Sequence, residues 1–402
     1  MALTNFSALL DNEKTVWSRD VWKVARNNSF VMKFAGTSIN SPIHRITELT
    51  KTERGEKAIF PLVTDLIGDG VTGDNVLWDN EEELKAYDEE IIIDQLRNAN
   101  RHKGRMEHQK TVINFREQSR DKLGYWLGDR IDQMGFLTLS GIDYRLRPNG
   151  MLRPGFTHNG TDWARNTTTA PVGQALIDLS FATDSDLGDR LNAPTNQRHR
   201  RWDATAKALA APNTTAITAA DKPSYAMLVE TKAFMKDNYI RGVRAGSGDE
   251  VYHVFMSPQG IAKLKLDPDF LANIRHAGAR GNSNPIFSGA IVTVDGLVIH
   301  EFRHVFNTGG AVAGTAGAHE NRPGYKWGEN GAVNGQRTLF LGAQALGLAD
   351  LGTPYWNEEV WDYGNQNGIS IGKIFGLKKP QFHSIYTGDK QDFGVVCVDC
   401  AI

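Results

Sequence analysis

Between Gly55 and Gly141 the chain places a strand pair around an acidic, glycine-rich tip, then a basic segment, then one long amphipathic helix, and the rest of the sequence reads as attached to it. Lys57-Ala58-Ile59-Phe60-Pro61-Leu62 alternates weakly and then meets Asp65, Gly68-Asp69-Gly70 and Gly73-Asp74-Asn75, a cluster of turn formers. This predicts a strand running out to a flexible tip. The chain comes back through Tyr87-Asp88-Glu89-Glu90-Ile91-Ile92-Ile93-Asp94-Gln95, where three β-branched residues in a row favour an extended backbone. Together the two runs predict a long hairpin-like arm. Phe115, Ser119, Leu123, Trp126, Leu127, Ile131, Met134 and Leu137 then recur at steps of three and four. That spacing predicts a helix of about 25 to 30 residues with one apolar face, and Gly141 ends it.

Charge divides across this stretch. From Asp65 to Asp94 eleven acidic residues, among them Asp69, Asp74, Asp79, Glu81, Glu82 and Glu83, stand against Lys85 alone. From Arg97 to Arg130 nine basic residues, including Arg97, Arg101, Arg105, Arg116 and Arg120, stand against four acidic ones. An arm with so much like charge cannot bury itself in its own domain without leaving carboxylates unpaired, which is costly. It is expected to lie on a basic surface, its own or a neighbour's. Charge alone leaves a second reading open, an ordinary solvated loop beside an ordinary helix face, because exposed ion pairs contribute only about 0–1 kcal/mol each.

The 402 residues, 40% hydrophobic and 23% charged, have room for two or three domains. A net charge of −2 gives no global attraction to nucleic acid or anionic membrane, so such contacts would be local. No apolar run approaches the ~18 residues of a membrane span. The start, Met1-Ala2-Leu3-Thr4-Asn5-Phe6, lacks the basic-then-apolar order of a signal peptide, and the protein is expected to stay in the cytoplasm where it is made. Two cysteines, Cys397 and Cys400, argue against a disulfide framework.

Elsewhere, Val16 to Phe34 is a loosely amphipathic arm, and Gly141 to Ala211 an irregular insertion that contains the basic run Arg198-His199-Arg200-Arg201. Pro223-Ser224 is expected to open a helix carrying Met227, Leu228, Thr231, Phe234 and Met235, with the proline in its first turn. Val251 to Met256 reads as a strand, Ser257-Pro258 as a capped helix start, and Asp295-Gly296 as a two-residue hairpin turn. Thr338 to Leu348 is an apolar segment, and Asn367 to Phe375 is strand-like.

Three motifs invite a catalytic reading. His300-Glu301-Phe302-Arg303-His304 matches the zinc-protease pattern H-E-x-x-H and carries the alternative function, a zinc metalloprotease using His300, Glu301 and His304. That pattern works on a helix, where both histidines share a face, whereas these residues follow a β-hairpin, and Asn307 and Gly310 stand where the extended motif wants glycine and histidine. Gly68-Asp69-Gly70-Val71-Thr72-Gly73 matches a dinucleotide pattern, but acidic residues follow it instead of a helix. Cys397-Val398-Asp399-Cys400 has no second pair to complete a zinc or redox site, and reads as part of a C-terminal strand. No catalytic set, metal site or cofactor is expected.

Trp17-Ser18-Arg19, Lys33-Phe34 with Gly36, Glu48-Leu49-Thr50-Lys51, Gly68, Gly70-Val71, Gly73-Asp74, Leu77, Asn80-Glu81-Glu82, Tyr87 and Ile93-Asp94-Gln95 together resemble the major capsid proteins of phage N-four-type podoviruses. The resemblance is most specific over residues 17–105, continues collinearly to His300-Glu301, and departs most between Gly141 and Ala211. It implies an α+β tailed-phage capsid fold of Hong Kong 97 type, with an N-terminal arm over 1–55 and an extended loop over 56–95. A peripheral domain would follow over 96–224, its spine helix at about 107–140 and an insertion at 141–211. An axial domain would occupy 225–350, and 351–402 would return to the peripheral domain. The implied function is mechanical: many copies form hexamers and pentamers of an icosahedral shell around double-stranded DNA. The implied partners are the portal, a separate scaffolding protein, since no fused scaffolding segment precedes Trp17, and a decoration or cement protein. The virion is the implied location, after assembly in the bacterial host cytoplasm. Arg198, Arg200 and Arg201 are the candidates to touch DNA without sequence readout.

Overall fold

The structure is a computed structural model that describes residues 11–47, 55, 57–63, 69–79, 81, 86–110, 114–158, 163–184, 197–244, 250–276, 292–314, 319–383 and 390–402. Its axis is the helix Phe115–Ser140. Asn114 caps this helix by accepting the Arg116 N–H at 3.2 Å, and Gly141 closes it in the left-handed region at φ 67°. The first half buries one stripe, including Ser119, Leu123 and Leu127. From Ile131 to Ser140 every residue is buried, so the helix runs from the surface into the middle of the molecule. The helix expected over about 107–140 is found as two, Arg105–Lys110 and Phe115–Ser140, on either side of residues outside those described.

Two sheets flank this axis. The first is built on the long strand Gln366–Lys378. One edge pairs antiparallel with Asp94–Arg101; the other pairs with Tyr355–Trp361 and Leu346–Asp350, beyond which Ile43–Ile46 and Ala35–Gly36 continue in parallel. Gly368, Gly372 and Gly376 recur at four-residue spacing, which keeps them on one face of the strand. Trp361, Arg97 and the Ile92 carbonyl lie where their Cβ atoms would stand, so the long strand is smooth where its neighbours cross it.

The second sheet has the order Val292–Val294, Leu297–Glu301, Glu250–Met256, Gly335–Leu341, Val395–Ala401, His199–Asp203 and Ala208–Ala210, with Val243–Arg244 beside Glu250–Met256. Asp295 and Gly296 both take positive φ, 48° and 74°, which makes the expected tight hairpin. Alternate residues of these strands enter two cores. Phe255, Leu339, Leu341, Val395 and Cys397 share one with the long helix. Val254, Met256, Phe340, Val396, Val398 and Cys400 pack under Tyr225–Asp237, Pro258–Lys265 and Pro268–His276. Cys397 and Cys400 therefore belong to different cores. Ser257 caps its helix with Pro258 in the first turn, but Pro223 lies one residue outside its helix, because Ser224 is the cap.

The apolar segment Thr338 to Leu348 divides between the sheets, crossing at Gly342–Ala345, where Gln344 takes φ 54°. Of the expected C-terminal return, Tyr355–Trp361 and Gln366–Lys378 lie in the first sheet. The final strand Val395–Ala401 lies in the second, because its alternating apolar residues fill both of that sheet's cores.

One buried ion cluster ties the helix to the second sheet. Arg337 grips Asp399 through Nε and Nη2 at 2.8 and 3.0 Å, and its Nη1 donates at 2.6 Å to the Ser140 carbonyl, at the negative end of the long helix. His199 Nε2 lies 2.6 Å from Asp399 Oδ2. Arg337, Asp399 and His199 are all at most 1% exposed. Burial alone would raise the Asp399 carboxyl, but Arg337 and His199 outweigh it and hold it at about 2.

The N-terminal segment clasps the helix from outside. Asp132 accepts from Ser29 Oγ, Phe30 N and Val31 N at 2.6–2.9 Å, where the helix Asp11–Asn28 turns into the short 3-10 helix Val31–Lys33. A Cβ on Gly128 would stand 2.8 Å from the Ala25 carbonyl, so glycine sets how closely the two helices cross. Phe34 then packs edge-on against Phe255, His253 and His300, with ring centroids 4.8–5.4 Å apart. His253 Nδ1 and His300 Nε2 are 2.9 Å apart, and burial followed by the His253 charge pushes His300 down to about 4.

Arg337→Met should destabilise the chain by about 3–5 kcal/mol in urea unfolding, because Asp399 is left buried without its main partner. The ionised Asp399 contributes stability above its unfolded value near ~4 that is lost as pH falls towards about 2. His300 gives a separate window. Below ~6.5 the unfolded chain takes a proton that the folded chain refuses until about 4, so stability falls across that interval. In His300→Phe the loss between those pH values should be visibly shallower.

Candidate assembly surfaces

The arm is a two-stranded hairpin. Lys57–Val63 pairs antiparallel with Ala86–Ile92, in register from Lys57↔Ile92 to Val63↔Ala86. Ala58 and Ile91 are buried at its root with Ile46 and Ala349, and Phe382 and Phe393 pack against them. Lys57 and Glu90 pair across the strands, while Lys378 reaches Glu89 at 3.0 Å and fastens the root to the end of the long strand. Beyond the root most of the described tip is exposed. Asp69, Asp74, Asp79 and Glu81 are exposed, and Gly70, Gly73 and Asp79 take positive φ. Glu82 and Glu83 lie outside the described residues. Among the carboxylates sit Val76, Leu77 and Trp78, with Trp78 77% exposed, an apolar trio that the charge count conceals.

The basic residues that follow divide into two groups. Arg116 stacks 4.6 Å over Trp17 and donates to Glu358 at 2.8 Å; Arg120 lies 5.5 Å over the same ring and bonds Asp121. Trp17 in turn stacks on Trp356. Both arginines thus serve inside the subunit, holding the N-terminal helix. Arg97, Arg101 and Arg105 line the far end of the strand Asp94–Arg101 and the residues just past it, and Arg101 and Arg105 are exposed. Arg101 covers Trp361 at 5.4 Å, and Arg105 Nε donates to the Gly364 carbonyl at 3.0 Å. The turn they hold, Asp362-Tyr363-Gly364, has three successive positive φ values, and Tyr363 projects fully into solvent. Sequence reasoning missed this aromatic turn; Asp-Tyr-Gly-Asn between two strand-like runs was its available signal.

Arg198, Arg200 and Arg201 do not form one surface. Arg198 is 2% exposed, beside the buried Asp392, with Nη2 3.4 Å from the Asn238 carbonyl, so it has no face to offer DNA. Its place at the start of the parallel pairing between His199–Asp203 and the final strand turns it inward. Arg200 lies 4.9 Å over Phe234, and Arg201 reaches Asp203 at 3.5 Å.

His300 and His304 serve separate structural partners. His300 belongs to a strand, paired with His253 and stacked on Phe255. His304 Nε2 meets Asp129 of the long helix at 2.8 Å, and Glu301 is exposed. Among the described residues no group of three or more histidine, cysteine, aspartate or glutamate side chains could hold a metal ion.

The comparisons accord with this architecture. The model of the family described as phage capsid protein matches residues 5–402. The chain is 50% identical over 398 residues to the major capsid protein of Pseudomonas phage KPP25, covering 98% of this chain and 96% of that one. Among solved structures, the capsid of Ralstonia phage GP4 superposes with TM-score 0.67 at 25% identity, over 92% of this chain and 90% of that one. The capsid asymmetric unit of cyanophage Pam1 shares the fold at 17% identity, with TM-score 0.65 over 100% and 94% of the two chains. The fold is the Hong Kong 97 type, and the chain belongs to the phage capsid protein family, the subunits from which a phage head shell is built.

Proposed function

We propose that the chain is the major head subunit of an N-four-type podovirus and closes into hexamers and pentamers by docking its acidic arm tip on the basic end of a neighbour. The observation that carries this reading is the polarity of a single run. Ala86 to Arg101 is extended except at Ile93, so the outer end of the hairpin at Ala86 and the basic end at Arg101 stand up to about 50 Å apart at ~3.3 Å per residue. One end offers carboxylates around an exposed Trp78; the other offers Arg97, Arg101 and Arg105 around Trp361 and Tyr363. Complementary patches at opposite ends of one molecule make a head-to-tail contact, which closes into rings when the rotation allows. Trp78 has the character of an interface anchor, a large aromatic side chain rimmed by polar groups. Each joint can be weak, since every subunit is held at several places and the links raise one another's effective concentration.

The same reading gives the extended-loop role to residues 56–95, the spine to the helix ending at Ser140, and the axial role to 225–350. Its partners are the portal, a separate scaffolding protein, a decoration or cement protein, and packaged double-stranded DNA touched without sequence readout, with Arg200 and Arg201 the remaining candidates of the basic run. Assembly takes place in the host cytoplasm, and the subunit's work is structural and not enzymatic.

Light scattering with negative-stain microscopy on the expressed chain, alone and with its scaffolding protein, tests this. Shells, tubes or capsomers that loosen at high salt are expected. Trp78→Ala, and separately Asp74→Lys with Asp79→Lys, should leave the unfolding midpoint unchanged while cutting the assembled fraction at least tenfold. Normal assembly of both variants across the salt range would sink the docking scheme.

A further inference from the structure

Midway along the long helix four arginines gather where the docking scheme gives them no task. Arg130 and Arg153 both donate to one acceptor, Gln133 Oε1, at 2.7 and 2.8 Å. Arg147 is exposed and lies near enough to both that its charge opposes theirs; burial first, then Arg130 and Arg147, hold Arg153 down at about 10. Arg303 joins from the loop that follows the strand Leu297–Glu301, its Nη2 3.1 Å from Asp129 Oδ1 and its side chain 73% exposed. Asp129 is heavily engaged, since His304 Nε2 shares Oδ1 at 2.8 Å and Gln133 Nε2 takes Oδ2 at 2.7 Å. The neighbouring Asp132 is occupied by the N-terminal segment.

The cluster is built on fixed backbone. The Arg147 N–H donates to the Met151 carbonyl at 2.8 Å, closing the turn Pro148-Asn149-Gly150, in which Gly150 takes φ 79°. Asn307 N donates to the Pro148 carbonyl at 2.8 Å, which holds this turn beside the loop that carries Arg303. Like charges held together on rigid loops, with Asp129 already shared, favour an added anion. Guanidinium forks match phosphate oxygens in shape as well as charge.

We propose that Arg130, Arg147, Arg153 and Arg303 form a phosphate-binding site that holds the backbone of duplex DNA, with Arg147 and Arg303 making the outer contacts. This rests on the reading that the chain lines a shell around DNA. Arginines that meet only phosphate read no sequence, which suits a surface that must accept any packaged segment.

The test is fluorescence anisotropy of a short labelled duplex titrated with the purified full-length chain at rising salt, with inorganic phosphate as a parallel probe. Relative to wild type, Arg147→Gln with Arg303→Gln should lower the slope of log affinity against log salt by about two, near 0.9 for each phosphate no longer neutralised. The exposed pair Lys236→Gln with Lys265→Gln, on helices over the opposite core, should leave it unchanged. An unaltered slope in the arginine variant, or an equal fall in the lysine variant, overturns the site. So does saturation by inorganic phosphate with no duplex binding, which would make it a small-anion site. Particle formation by the same variants, scored by microscopy, separates the two readings. Normal particles with an unaltered slope refute this site alone, whereas a wild-type chain that forms no particle with its scaffolding protein refutes the shell reading beneath it.

Discussion

The grip of Arg337 on Asp399 is the contact on which the rest of the molecule depends. It draws the end of the long helix at Ser140, the strand that begins at His199 and two neighbouring strands of the second sheet to one point, where almost no water reaches. Burying such charges is unfavourable unless every partner is in place. The cluster therefore rewards a single register. Slipping the final strand by one residue would send Asp399 to the opposite face and exchange the side chains of the two cores. That strand has an apolar residue at almost every position, so hydrophobic burial discriminates poorly between its two faces, and the ion pair supplies the missing discrimination.

A second constraint acts from outside the core. The N-terminal helix is held by three hydrogen bonds to Asp132, by the close crossing at Gly128 and by the stack of Trp17 on Trp356 beneath Arg116. These contacts reach both sheets through the long helix and Phe34. The root of the arm is fastened to the same frame by Lys378 and the small cluster around Ile91. An exposed segment is thus mounted on a stiff base, the arrangement a docking element needs if little order is to be lost on binding.

Elements set by local chemistry were legible in the sequence. The three-and-four spacing from Phe115 to Leu137 gave the long helix and Gly141 its end, Ser257-Pro258 gave a capped start, and Asp295-Gly296 gave a hairpin. Contacts set by distance along the chain were hidden. Nothing near Arg337 announces a partner 62 residues on, and nothing near Asp132 announces one 103 residues back. Thr338 to Leu348 read as one apolar segment because burial on both sides of a sheet erases the alternation that would have divided it. Arg198 looked like its two neighbours in a basic run, and only the pairing of that run with the final strand separates its inward side chain from theirs. The opposition of acidic tip and basic segment was visible as charge. That Arg116 and Arg120 are taken up by Trp17 was not, since cation–π contacts leave no spacing rule to follow.

The placement of the last strand also bears on timing. Val395–Ala401 lies inside the second sheet, between Gly335–Leu341 and His199–Asp203, and not at its edge. While the chain is being synthesised, that sheet has a gap at its centre until residues 395–401 leave the ribosome, whereas the helix and the strands of the arm are already available. A chain broken off early lacks an inner strand, the Asp399 half of the ion cluster and the seam between two cores. Acquisition of a rigid body therefore waits for residues 395–401, and chains broken off before them are denied the stiff frame that a growing lattice could incorporate.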